Sequence, residues 1–244
     1  MTLIKSISGI RGTIGGNTAE NLTPLDVVKF ASAYGAWLLN RSKNKKAKVI
    51  IGRDARISGK MVSDLVANTL IGLGIDVIDL GLSTTPTVEI AVPIEKAEGG
   101  IILTASHNPK QWNALKLLNE KGEFINAMDG KTILDLAAKE AFTYAEVDGL
   151  GAYQKNTDFL QKHIEALLAL EWVDFAAIQK RKFKVVVDAV NSTGGDAHTP
   201  TETIIEKMSG AKILGRVDET NTIDKAFIKK QAAKLQPALC YNNA

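Results

Sequence analysis

Along the first part of the chain, short unbroken apolar runs alternate with segments whose apolar positions recur at helical spacing. The stretch from Lys48 to Gly52 and that from Gly100 to Leu103 are runs of the first kind, and apolar stretches of this length predict buried strands; Asp76 to Leu80 reads as a further strand. Between them lie helix signals. Thr23-Pro24 supplies an N-cap and a first-turn proline, with Val27, Ala31, Tyr34 and Leu38 following at helical spacing. Ser58 stands where it can cap a helix from Gly59 to Leu73, and Thr84-Thr85-Pro86 is another cap-and-proline start. Trp112 to Leu118 reads as a strand that returns the chain, closed by a turn over Asn119 to Gly122 and followed by a helix from Asn126 to Ala141. Strands and helices in alternation predict an α/β fold: three-layer α/β/α domains with mixed, largely parallel sheets.

From Thr143 to Gln154 the periodicity weakens and glycine rises, which places a domain boundary near Gly151. Residues 1–150 then form one complete domain, and residues 151–244 begin a second, incomplete one. In that second part the expected elements are a helix from Asp158 to Leu170, a buried strand from Phe183 to Asp188 and a small-residue loop through Gly195. A helix beginning near Thr201 and a polar helix from Ile223 to Leu235 follow, then Pro237 and an irregular tail. His163 and His198 stand apart from the other polar loops and receive no ligand role.

Composition narrows the function classes. Lys and Arg total 30 against 27 Asp and Glu, a net charge of +3, too weak a field to argue for nucleic acid. The densest basic run, Arg41 to Lys48, follows a helix end and reads as a solvated turn. A single cysteine, Cys240, excludes an intrachain disulfide and fits a reducing compartment. No apolar run approaches membrane-spanning length and no signal-peptide core precedes Arg11, so the expectation is a cytoplasmic protein without a membrane partner.

Chemistry concentrates in four places. Thr104-Ala105-Ser106-His107-Asn108-Pro109 follows the apolar run Gly100 to Leu103 abruptly, at the carboxyl end of a strand, where open α/β sheets place their sites. Ser106 is therefore a candidate nucleophile, although Ser, Asn and Pro are also ordinary turn residues. The segment Ser8 to Gly16 sets four glycines around Arg11 and fits either an anion-binding loop or a hairpin turn. Gly52-Arg53-Asp54-Ala55-Arg56-Ile57-Ser58-Gly59 is a second anion-friendly strand end, expected to play a supporting role by holding other loops in place; the alternative is an Arg–Asp pair that merely fixes the turn. Lys116 is a cation inside an apolar strand, either reaching a cleft or snorkelling from a half-exposed edge.

These segments, Ser-Gly-Ile-Arg-Gly, Gly-Arg-Asp-Ala-Arg-Ile-Ser-Gly, Thr-Ala-Ser-His-Asn-Pro and Asn-Ala-Leu-Lys, in this order and spacing, resemble the α-D-phosphohexomutases, a family that includes phosphomannomutase/phosphoglucomutase and phosphoglucosamine mutase. The resemblance covers residues 1 to 150 and the opening of the second domain through Val185 to Gly195. It implies an intramolecular phosphotransferase acting on hexose phosphate through a phosphoserine and a hexose 1,6-bisphosphate. Ser106 would carry the phosphoryl group, Lys116 match the general acid/base, Arg11 face the phosphoserine, and His107 assist proton transfer or orientation. Arg53, Asn108 and Asn113 are candidate substrate or phosphate contacts. The resemblance further implies Mg2+ in the complete enzyme, held in part by Ser106 through its phosphate. Trp112-Asn113-Ala114 departs from the family's usual Tyr-Asn-Gly. The family's acidic metal loop, sugar-selecting loop and final phosphate loop do not occur in these 244 residues. The chain thus resembles the N-terminal half of a mutase, expected to show little turnover by itself. Its alternative is a non-catalytic sugar-phosphate-binding or interaction module. A serine hydrolase is disfavoured, since no Gly-x-Ser-x-Gly surrounds Ser106. Nothing in these residues selects among glucose, mannose and glucosamine phosphates or sets an oligomeric state.

Overall fold

A computed structural model describes residues 1–6, 9–42, 46–181, 192–193 and 224–239. The expected strand from Phe183 to Asp188, the helix near Thr201, His198 and Cys240 lie outside them, as does most of the loop through Gly195. Two compact units divide at Glu165/Ala166, beyond the boundary expected near Gly151.

The first unit is a seven-stranded mixed sheet. Its strands are β1 (Ile4–Ser6), β2 (Gly9–Thr13), β3 (Lys48–Arg53), β4 (Asp76–Leu82), β5 (Gly99–Leu103), β6 (Trp112–Leu118) and β7 (Tyr153–Lys155). They lie in the order β1-β2-β6-β5-β3-β4-β7. Three of the six pairings, β5 with β3, β3 with β4 and β4 with β7, are parallel, and the other three are antiparallel. The expected parallel core is therefore present at β5, β3 and β4, where helical crossovers connect the strands. The antiparallel half is built by β6 turning back directly beside β5 and by the hairpin of β1 and β2. Because β7 hydrogen-bonds to β4 from Val77 to Asp79, the sheet extends past Gly151.

The connecting helices are α1 (Pro24–Arg41), α2 (Gly59–Gly72), α3 (Thr85–Ile94), α4 (Ala127–Lys139) and α5 (Phe159–Leu168). The period-two alternation of strand side chains divides the apolar residues between two cores. Val49, Ile51, Ile101, Leu103, Leu115 and Leu117 face α1, α2 and α4, in a cluster with Val27, Tyr34, Val66, Leu70 and Ile133. Ile50, Ile78, Leu80 and Ile102 face the other way, against Val88, Val92 and Phe159 of α3 and α5. Covering both faces explains why β3 and β5 read as continuous apolar runs.

Thr23 caps α1 as expected, in a reciprocal box with Asp26. Asn126 caps α4 by accepting from the Asp129 amide. Ser58 precedes α2 but makes no side-chain cap; its hydroxyl accepts a hydrogen bond from Asn113 Nδ2 at 2.9 Å instead.

In the second unit the described elements are α6 (Phe175–Arg181) and a helix over Lys225–Leu239, which runs through Pro237 where its end was expected near Leu235. No helix among the described residues is long and apolar enough to cross a membrane.

Candidate functional site

The carboxyl ends of β5 and β3 lie side by side, the Asp54 amide donating to the Leu103 carbonyl at 3.1 Å. The chain leaving β5 makes a tight turn there. Asn108 Nδ2 and the Asn108 amide both donate to the Ala105 carbonyl, at 2.8 and 3.1 Å, and the Ser106 amide donates to Thr104 Oγ1 at 3.2 Å. Ser106 adopts a left-handed backbone with φ +55°, which is uncommon for a residue bearing a Cβ, and both it and His107 are exposed. The loop thus lifts the serine hydroxyl away from the sheet.

β2 and β6 bring the other candidates to the same place. Arg11 pairs with Ala114, and Ile10 with Leu115. With Ile10 and Leu115 pointing into the larger core, alternation sends Gly9, Arg11, Ala114 and Lys116 to the opposite face. There a cavity of about 280 Å³ is lined by Gly9, Arg11, Thr104 to Asn108, Ala114, Lys116 and Phe124. Lys116 sits opposite Ile102 on β5, its Nζ 5.8 Å from the centre of the Phe124 ring.

The cavity gathers Arg11, Ser106, His107, Asn108 and Lys116 from three separate segments of the chain. It does not include two expected contacts. Asn113 is fully buried, its side chain donating to Ser58 Oγ at the start of α2 and accepting from the Ala114 amide at 2.8 Å. Arg53 directs Nη1 to the Asp54 carbonyl at 3.1 Å, bracing the turn after β3. Arg11 lies on a strand of the β1–β2 hairpin rather than in a loop, since pairing with β6 gives this glycine-rich segment a ladder its composition does not announce.

Phe124 is a lining residue that pattern reading missed. Its signal was modest: an aromatic placed just after the tight turn at Gly122, whose return bridges Leu118 to Phe124. Arg56 is likewise absent from the expected contacts, although its motif stands out in the sequence. Its Nε donates to Asp54 Oδ2 at 3.1 Å, and its two Nη atoms donate to the carbonyls of Ser106, Asn108, Pro109 and Trp112 at 2.7 to 3.0 Å.

Just outside the cavity, burial pushes the Glu89 carboxyl above its ordinary range, an effect reduced by the positive charge of Lys116. Among the described residues no group of three or more His, Cys, Asp or Glu side chains is placed to hold a metal.

A family model described as phosphoglucomutase/phosphomannomutase, alpha/beta/alpha domain I, matches residues 3–144. A Thermococcus kodakarensis protein named phosphoglucomutase/phosphomannomutase is 37% identical over 185 residues, covering 75% of this chain and 40% of that protein. A phosphoglucosamine/phosphogalactosamine mutase of Sulfurisphaera tokodaii is 32% identical over 206 residues, covering 84% of this chain and 42% of its own. A crystal structure from Thermus thermophilus, named for phosphomannomutase, superposes with a TM-score of 0.68 at 29% identity, over 87% of this chain and 45% of that one. The chain spans about two-fifths of the length of these two curated relatives.

Proposed function

The chain belongs to the phosphohexomutase family of phosphoglucomutases and phosphomannomutases, and on that premise we propose that Ser106 accepts and returns a phosphoryl group in the interconversion of hexose 1-phosphates and hexose 6-phosphates. The observation that carries this reading is the meeting of Ser106 with Arg11, His107 and Lys116 around one cavity. A phosphoserine brings a charge of about −1.5 to −2, and two lining cations, Arg11 and Lys116, offset it.

The transfer balances within this set. When a sugar hydroxyl attacks the phosphoserine, the bond from phosphorus to Ser106 Oγ breaks and one to the sugar oxygen forms. The hydroxyl gives up a proton and Ser106 Oγ takes one. Lys116 and His107 are the lining side chains able to carry a proton between the two oxygens, while Arg11 stays charged and holds phosphate oxygens. Return of the other phosphoryl group from the bisphosphorylated sugar reverses each change. In the complete enzyme, magnesium held in part through the phosphate on Ser106 would add charge neutralisation to what Arg11 and Lys116 provide.

Full turnover also needs a choice of sugar and a hold on the distal phosphate. We assign those to sequence beyond the two-fifths of the relatives' length matched here, so the 244 residues alone are expected to exchange a phosphoryl group without completing isomerisation.

Phosphosite mapping by mass spectrometry tests the nucleophile, on protein exposed to hexose 1,6-bisphosphate with magnesium. A phosphoryl group on Ser106, absent from Ser106→Ala, is the expected result; uptake at another residue, or equal uptake by the variant, overturns it. A pure sugar-phosphate-binding module would instead bind hexose phosphate equally well in both forms and take up no phosphoryl group. Measurable isomerase activity from these 244 residues would overturn the expected lack of turnover.

A further inference from the structure

We infer that Arg56 is the positioning residue of the serine loop, a clamp that sets the backbone of Ser106 and is itself barred from binding phosphate. All five N–H donors of its guanidinium are committed. Nε bonds to Asp54 Oδ2 at 3.1 Å. Nη1 bonds to the carbonyls of Pro109 and Trp112 at 2.8 and 3.0 Å, and Nη2 to those of Ser106 and Asn108 at 2.7 and 2.8 Å. Asp54 aims the fork from its other side, its Oδ1 accepting from the Arg56 amide at 3.0 Å. The side chains of both residues are largely shielded from solvent, at 11% and 12% exposure.

Four carbonyl oxygens from one short loop would repel one another if they converged on empty space. The planar cation at their centre turns that convergence into charge-assisted hydrogen bonds. It thereby offsets the strain of the left-handed backbone at Ser106, a conformation disfavoured for a residue with a Cβ. Because the peptide is planar and trans, fixing the Ser106 carbonyl toward Arg56 also points the His107 N–H the opposite way within that plane. The orientation of the serine and of the amide beside it is therefore set from a residue fifty positions earlier. Lysine cannot replace it, since an ammonium has three donors diverging from one atom and no planar fork.

The functional half of this inference rests on the proposed role of Ser106, so two readouts are needed. The first is amide hydrogen exchange on the 244-residue chain, which is independent of any phosphoryl chemistry. In Arg56→Lys, and more weakly in Asp54→Asn, the amides of Asn108 and Trp112, which bond to Ala105 and Pro109 within the loop, are expected to exchange at least about tenfold faster. Those of Ile50 and Ile102 in the core strands keep their wild-type rates, which shows that the fold survives. Unchanged exchange at Asn108 and Trp112 overturns the clamp outright.

The second readout is the single-turnover rate of Ser106 phosphorylation from hexose 1,6-bisphosphate. Misplacing a reacting group by about 1 Å costs on the order of 100-fold. Arg56→Lys is expected to lose about that much in maximal rate while the bisphosphate concentration for half-saturation changes little. A loss confined to half-saturation would make Arg56 a phosphate ligand and overturn the inference. A loosened loop with a wild-type rate would do the same for its functional half. Failure of the wild-type chain to take up phosphoryl overturns the reading of Ser106 instead, and the exchange rates still decide whether Arg56 holds the loop.

Discussion

Gly9 has φ +119°, and a Cβ there would lie 2.1 Å from the Leu115 carbonyl oxygen. The strand that carries Arg11 can approach β6 this closely only without a side chain at that point. Gly9→Ala is therefore expected to cost at least about 2 kcal/mol, read as a fall in the denaturant midpoint, and to weaken any phosphate binding that uses Arg11. Tyr34 is a second position where one atom serves two strands. Its buried hydroxyl lies 2.7 Å from the Leu118 carbonyl and 3.1 Å from that of Gly100, tying α1 to β5 and β6, and burial pushes its pKa far up. Tyr34→Phe removes the one proton those carbonyls share and is expected to cost about 1–2 kcal/mol by denaturant unfolding. Neither role is marked locally. Tyr34 reads from spacing as one more apolar helix position, and Gly9 as one of several glycines.

Among the elements, helix starts were the most legible. Thr23-Pro24 predicts the start of α1, and its capping box forms because the bonds involved span only three residues. Thr23→Ala is expected to lower stability by about 1 kcal/mol, seen in thermal or denaturant melts. Ser58 carries the same local signal and is used differently: its hydroxyl goes to Asn113, 55 residues away, so a tertiary partner outcompeted the cap. The contact between α3 and α5 has a pH dependence. His163 is buried at 4% exposure, with Nδ1 3.0 Å from Thr87 Oγ1, and burial holds its imidazole below the ordinary value. The unfolded chain takes up a proton near its ordinary pKa of about 6.5, while the folded protein resists until the pH is lower. This contribution to stability is fully present above about pH 6.5 and declines as pH falls below it. The drop in Tm between about pH 7.5 and about pH 5.5 is expected to shrink in His163→Asn.

At the scale of the molecule, Met1–Glu165 forms one compact unit containing both apolar cores and every residue lining the cavity. A chain cut after Leu170, which leaves α5 whole, is expected to unfold in one cooperative transition and to retain phosphoryl uptake at Ser106. Loss of a cooperative transition would show that the sheet depends on later sequence. The sequence by itself determined the alternation of strands and amphipathic helices, the capped start of α1, and the place of the serine turn at the end of β5, because these follow from residue types and interactions a few positions apart. Only the tertiary structure decided that β2 lies beside β6, so that Arg11 and Lys116 share a face near Ser106, and that the four Nη donors of Arg56 go to the carbonyls of Ser106, Asn108, Pro109 and Trp112. These depend on strand order and register across some fifty to a hundred residues, and local pattern carries no record of which distant partner a given face or donor will meet.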